Sequence, residues 1–404
     1  MMNIKKHLSN ELFLLFAFFP LIPNTLKGLP VILLVLGSFF LIEKTKVNWK
    51  WFLINSSTFL LYVFSLLYTT NFSYGFKKLE TGLTFFIVPL VFFVLRPQIA
   101  ITSQLRKKFL FLFVLSSTIF ASYILFFIIS DNNLTSNKDF YSDKFRLVVE
   151  KVPLIGQHPI YASIYLGNAL IFTFYLFQLY SVSYKTKKGF FLLIAIFINT
   201  ILLLMLSSKA VIFSLIILLI LYFVHAFFLR GRFKKGLMYL CMLFIGALVL
   251  FVFNRRVNEM IRLDTYASVN SSYSNSFRVN IYECAINVFK HNPILGVGIG
   301  DAQDALNECY SYKSQLLLNN QYNSHNQYLD FCIKLGFLGL VVFIGFLAAN
   351  YRYAHNSNDE LFKVIILFYC LNFLTENILV RQSGLILFVF FIHFFRNNKT
   401  YKIS

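Results

Sequence analysis

Lys187-Lys-Gly-Phe-Phe-Leu-Leu-Ile-Ala-Ile-Phe-Ile-Asn-Thr-Ile-Leu-Leu-Leu-Met-Leu-Ser-Ser-Lys209 is an apolar run closed by two serines and a lysine. A second run, Ala210 to Leu229, follows at once and ends in Arg230, Arg232, Lys234 and Lys235. A helix of roughly 20 apolar residues crosses the hydrocarbon core of a bilayer. Two such runs joined by the short Ser207-Ser208-Lys209 turn, with basic clusters at both far ends, predict a hairpin of spans at 188–206 and 209–229. The basic ends would face the cytoplasm.

The rest of the chain repeats this pattern. Of 404 residues, 58% are hydrophobic and 13% charged, against about 25% charged in soluble domains. A dozen spans of about 20 residues would use about 240 positions, close to the hydrophobic fraction. Apolar runs place further spans near 11–24, 28–43, 50–68, 76–95, 108–130, 158–180, 235–253, 326–350, 360–379 and 383–395. The expected fold is therefore an all-α polytopic membrane protein of about twelve transmembrane helices. Lys44, Lys46 and Lys50, then Arg96, Arg106, Lys107 and Lys108, then Lys185, Lys187 and Lys188 mark further cytoplasmic connections. With Lys5 and Lys6 near one end, and Arg396, Lys399 and Lys402 near the other, both termini are expected in the cytoplasm. Three segments follow: 1–253 with nine spans, 254–325 as a large extracytoplasmic loop, and 326–404 with three more spans.

This arrangement also disposes of the net charge. Thirty-seven Lys+Arg against 17 Asp+Glu leave +20, which in a soluble chain would suggest nucleic acid. Here much of it is orientation signal, and no nucleic-acid partner is expected. The cysteines, Cys241, Cys284, Cys309, Cys332 and Cys370, show no C-x-x-C spacing, and the seven histidines never fall at i, i+3 or i+4. Neither a metal cluster nor a cofactor is expected. There is no G-x-x-x-x-G-K-[ST] loop for ATP. The first apolar stretch meets Pro20 and Pro23 without a small-residue cleavage site, so no cleavable leader is expected.

A polar connection of about seventy residues is uncommon unless it carries function. Within it, 268–276 is rich in Ser, Asn and Tyr, 277–291 reads as an amphipathic helix stopping before Pro293, and Gly296 to Gly300 as a glycine turn. The polar residues that topology leaves unexplained collect on the outer side: His158, Lys209, Arg278, His325, Glu376, Asn377 and Arg381. Taken singly, Lys209 reads as a snorkelling anchor and His158 or His325 as a structural histidine. Several of them on one membrane face indicate a site, because ionisable groups near membrane depth are costly. Lys77, Lys78 and Glu80 read as interface anchors. A transporter would place such groups near midplane in broken helices, which the crowding on one face argues against.

Two stretches carry a resemblance. Arg278 to Gly300 is followed by Ser324-His325-Asn326-Gln327-Tyr328-Leu329 and Leu335-Gly336-Phe337-Leu338-Gly339. This resembles the O-antigen ligase/polymerase superfamily, in which an Arg opens a helix ending in a P-x-x-G-x-G turn and a His-Asn pair starts the next span. Gln157-His158-Pro159-Ile160-Tyr161 is similar to its H-P-x-Y element, and Glu376-Asn377 with Arg381 to its late outer turn. The matches cover about the C-terminal two thirds. One departure is Ser208-Lys209, where the family has Ser-Arg. Lys keeps the charge but loses the planar fork that grips phosphate oxygens.

The resemblance implies a GT-C-like membrane glycosyltransferase in the bacterial inner membrane. It would move a glycan from undecaprenyl diphosphate to a hydroxyl of lipid A-core, with membrane lipid around it. His325 is then the expected base, and Arg278, Lys209 and Arg381 the donor-diphosphate cations. His158, Tyr161, Asn326, Glu376 and Asn377 are the expected supporting or acceptor-binding groups, Asn326 being equally readable as a helix cap. Direct displacement would invert the anomeric carbon, and fixed cations would stand in for a metal. A ligase and a polymerase share this donor chemistry, and the H-P-x-Y, His-Asn and Glu-Asn elements favour the ligase. Cys284 and Cys309 both fall in the outer loop, where an oxidising compartment would allow pairing.

Overall fold

Leu206 ends one apolar helix and Lys209 begins the next, with Ser207 between them in the left-handed region at φ 48°. A computed structural model describes residues 10–42, 46–130, 148–179, 182–183, 185–230 and 274–397. The span read at 235–253, the loop as far as 273, and the clusters built on Lys5, Lys6, Lys44, Arg232, Lys234, Lys235, Lys399 and Lys402 lie outside the described residues. The protein is a helical membrane protein, with no strand among the described residues.

Among the described residues, five helices are long and apolar enough to cross a membrane: Phe72–Leu95, Ser103–Ser130, Pro159–Gln178, Lys187–Leu206 and Gln327–Asn356. Shorter apolar helices are described at Asn10–Leu21, Asn24–Phe40, Lys209–Val224 and Gln382–Arg396. The fold divides into two units.

One unit comprises 13–27 and 103–261. Its described helices include α1 (Ser103–Ser130), α2 (Pro159–Leu179), α3 (Lys187–Leu206) and α4 (Lys209–Arg230). The α3 start is capped by Thr186, whose hydroxyl accepts from Gly189 N at 3.1 Å. Between spans, buried Asn199 donates to Thr118 Oγ1 at 2.9 Å, an interhelical bond of the kind apolar surroundings favour. Pro20 sits in a 3-10 stretch, Leu15–Leu21. The buried Lys27 ammonium donates to Phe19 O at 2.6 Å and lies 4.5 Å and 4.9 Å from the Phe19 and Tyr165 ring centroids. Hydrogen bonding and two ring faces offset part of the cost of withdrawing this amine from water.

The other unit comprises 1–12, 28–102 and 262–404. It holds α5 (Trp49–Ser65), α6 (Phe72–Gly82), which runs on to Leu95, and α7 (Gln327–Asn356), with α8 (Glu360–Phe373) and α9 (Gln382–Arg396) after it. At one end Arg396 lies between Trp51 and Tyr353, 3.5 Å and 3.8 Å from their ring centroids.

The large polar connection is itself a helical subassembly over the described residues, including the part after Gly300 for which the sequence predicts no element. The amphipathic helix expected at 277–291 is α10 (Ser274–His291), and α11 (Ala302–Lys313) and α12 (Gln315–Asn320) follow the glycine turn. Ile281, Ala285, Leu306, Tyr310 and Leu317 form its core against Ile333 of α7. Cys284 and Cys309 are disulfide-bonded, tying α10 to α11.

The glycine turn docks into a break in α7. Gly336 has φ 63° and interrupts the helix. The carbonyls of Ile333 and Lys334 accept instead from Val297 N and Gly298 N at 2.9 and 3.0 Å. Phe337 N donates back to Pro293 O at 2.7 Å. A Cβ on Gly336 would lie 2.2 Å from Ile294 O, and one on Gly296 2.4 Å from Ile333 O. Both positions require glycine for conformation and for closeness of approach. Asp301 extends the dock by accepting from Thr70 N and Asn71 N at 2.8 and 2.7 Å. These contacts account for the glycine run as a backbone joint.

Candidate active site

Asn326 caps α7: its side-chain Oδ1 accepts from Tyr328 N at 2.9 Å and Leu329 N at 3.1 Å. Its side-chain amide donates to Leu374 O at 2.9 Å, beyond the end of α8. One residue therefore starts a helix and anchors the facing turn. His325 stands immediately before the cap with φ 44°, a left-handed conformation costly for a residue with a Cβ. It is held there by its N–H donating to Asn323 Oδ1 at 3.0 Å and by Tyr282 OH donating to its carbonyl at 3.2 Å.

The sequence places a span at 360–379, but α8 stops at Phe373, and residues 374–381 form a turn over the ends of α7 and α10. The α10 helix puts Arg278 and Tyr282 one turn apart, so both reach this turn. Arg278 Nη1 donates to Thr375 O at 2.9 Å and Nη2 to Glu376 Oε1 at 2.6 Å. The other Glu376 oxygen is 3.4 Å from His325 Nδ1. Asn377 turns the opposite way, donating to Ser324 Oγ at 2.9 Å and Asp330 Oδ1 at 3.3 Å.

Burial by itself would raise the Glu376 carboxyl. The hydrogen bond with His325 and the adjacent Arg278 guanidinium outweigh it and hold the carboxyl at about 2. Arg278 is pushed the other way: burial opposes its charge, but Glu376 more than restores it and the guanidinium is held above its ordinary value. An ionised carboxylate only accepts hydrogen bonds, so the contact requires the proton on His325 Nδ1. Nε2 is left as the basic nitrogen, and it bonds to no described residue. A histidine oriented and electrostatically supported by a buried carboxylate is suited to take a proton from a hydroxyl.

Residues 191–344 match the model of a family described as O-antigen ligase. Over this stretch the chain is similar to the O-antigen ligase-like superfamily. No curated protein matches it. The matched O-antigen ligase segment contains Lys209, Arg278 and His325 and stops before Glu376 and Arg381. The match supports ligase- or polymerase-type function and a membrane glycosyltransferase-like activity, with lipid-linked glycan and lipid as the partners it implies.

Of the residues expected at an O-antigen ligase site, the structure brings Arg278, His325, Asn326, Glu376 and Asn377 together. Arg381 is exposed at the start of α9 and lines a cleft with Lys78, Asp330 and Lys334. Lys209, His158 and Tyr161 belong to the other unit. There His158 precedes α2, its Nε2 3.6 Å from Glu150 Oε1, and its ring is 6.0 Å from buried Tyr161. The sequence reading missed Tyr282, Asp330 and Lys334. Asp330 and Lys334, at i and i+4 inside an apolar run, were a legible signal, since charges in a span are rarely idle. Tyr282 had none, because its value lies in carbonyls 43 and 92 positions away.

Proposed function

We propose that this protein is an O-antigen ligase, transferring a glycan from undecaprenyl diphosphate to a hydroxyl of lipid A-core at the periplasmic face of the bacterial inner membrane. The observation that carries the reading is the Arg278–Glu376–His325 chain, which leaves one imidazole nitrogen basic and unengaged by described residues. In the proposed step His325 Nε2 takes the acceptor proton and the acceptor oxygen bonds to the anomeric carbon. The bond from that carbon to the diphosphate oxygen breaks, its electron pair leaving on the diphosphate. Attack opposite the leaving group inverts the carbon.

Arg278 donates to Glu376 and Thr375 O, so its charge serves the site first by holding the carboxylate that orients His325. Lys209 and Arg381 are the proposed diphosphate cations, with fixed charge doing what a divalent metal does elsewhere. Asn326 and Asn377 brace the turn that presents Glu376, and His158 and Tyr161 are assigned to the acceptor. About twelve spans in a GT-C-like arrangement, with both termini cytoplasmic, remain part of this reading. The Cys284–Cys309 disulfide supports an extracytoplasmic position for 254–325, since disulfides persist in oxidising compartments.

Deletion followed by complementation tests the assignment. Without the protein, full-length glycan should accumulate on its polyprenyl carrier and lipid A-core should stay bare; wild type should reverse this and His325→Ala should not. Lipid A-core capped by one repeat unit in the deletion strain would instead make the chain a polymerase.

A further inference from the structure

We infer that the turn Pro293-Ile294-Leu295 is a membrane anchor, seated at the headgroup–acyl boundary with its side chains against lipid, and that it fixes the subassembly of α10, α11 and α12 to the bilayer surface. The inference stands whatever reaction the protein catalyses.

Residues 290–295 are exposed without interruption. Ile294 is 72% exposed and Leu295 38%, an apolar tip on an otherwise polar connection. The tip is not a free loop. Phe337 N and Leu338 N, at the break in α7, donate to Pro293 O at 2.7 Å and Ile294 O at 3.3 Å. Tyr68 OH, just beyond α5, donates to Leu295 O at 2.7 Å. Two helices of the same unit therefore set where the turn lies.

Those helices identify what covers it. On α7, which is long and apolar enough to cross a membrane, Phe337, Val341 and Ile344 are exposed at i, i+4 and i+7. Leu60, Phe64 and Leu67 repeat that spacing along α5 and just past its end. Exposed apolar stripes on spanning helices face acyl chains. Leu67 precedes Tyr68, and Phe337 is itself bonded to the turn, so both stripes end at it. Ile294 and Leu295 continue a surface that already faces lipid.

Length gives a second reason. The exposed stretch of α7 from Phe337 to Tyr351 covers about 21 Å at the helical rise, against a hydrocarbon core of about 30 Å. Residues 330–336 are buried and offer lipid nothing. The turn supplies apolar surface where α7 has none. Beside it, in the last turn of α10, Lys290 and His291 are exposed, and cations there suit phosphate headgroups. From its break at Gly336 to the Asn326 cap, α7 rises about 15 Å, which keeps His325 within about that distance of the acyl chains.

Fluorescence of full-length protein reconstituted in phosphatidylcholine vesicles tests the anchor, with no transfer step in the readout. Wild type carries two tryptophans, Trp49 and Trp51, so the emission added by Ile294→Trp is read by difference. It should be quenched by lipid brominated along its acyl chains and be insensitive to aqueous iodide, as for a side chain about 5–10 Å into the boundary. Tyr312→Trp should respond the opposite way: the position is 86% exposed and adjoins Lys313, which pairs with Glu283 roughly three turns of α10 from the tip. Leu295→Trp repeats the measurement where Ile294→Trp fails to fold. Iodide quenching without bromolipid quenching at the turn, or a response equal to that at 312, would overturn the anchor.

Discussion

The Glu376 carboxylate reaches His325 Nδ1 at 3.4 Å across 51 positions of chain, and its other oxygen is held by Arg278. The histidine's orientation therefore depends on a helix from the large polar segment and on the turn between the last two described helices. Losing any one partner should be felt at the imidazole.

Glu376→Gln keeps the size and loses the charge. Transfer should fall on the order of a hundredfold in kcat, with donor KM little changed, since the substitution weakens the base and leaves Lys209 and Arg381 in place. A kcat near wild type in the purified variant would separate Glu376 from the chemistry.

The same carboxyl gives stability a pH dependence of defined sign. Its folded value of about 2 lies below the ordinary 4.5, so its contribution is complete above pH 4.5 and is lost as pH falls toward 2. The Tm difference between wild type and Glu376→Gln should shrink as pH falls from 4.5 toward 2. A gap that stays constant to pH 3 would mean the carboxyl is not held low.

Gly336→Ala puts a methyl against Ile294 O in a left-handed conformation and should cost at least about 2 kcal/mol. Gly345, in the same helix with nothing within 4 Å of a Cβ, provides the contrast. Gly345→Ala should be neutral or stabilising by up to about 1 kcal/mol. Thermal unfolding in detergent reads both, and equal effects would remove the backbone joint as the reason for Gly336.

Cys284→Ser with Cys309→Ser opens the link between α10 and α11 and should destabilise this helical segment by about 3 kcal/mol. Free-thiol labelling of the unfolded wild type should find the pair blocked until reductant is added. Full labelling without reductant would place this segment in a reducing compartment and reverse the proposed topology.

The apolar helices among the described residues, the hairpin at Lys209 and the helix before Pro293 were legible in the sequence because each is a local property. Apolar length, a basic flank and a turn residue act within about twenty positions of one another. Arg278, His325, Glu376 and Asn377 were legible as unusual polar residues near span ends. Their division of labour was not, because it is set by distances between helices far apart in sequence: Arg278 is engaged by Glu376 and Thr375 O, and Asp330 draws Lys334, Gln327 and Asn377 to one carboxylate. Lys78 looks like an interface anchor until α6 and α7 bring it to the cleft with Lys334 and Arg381. The glycines show the same division. Their residue type announces a turn, but only the packed structure supplies the carbonyl of Ile294, 2.2 Å from where a side chain would begin, that makes glycine necessary. Local pattern decides which segments are helices and which face they bury, whereas a hydrogen bond acts over about 3 Å and its partner is chosen by how those helices pack.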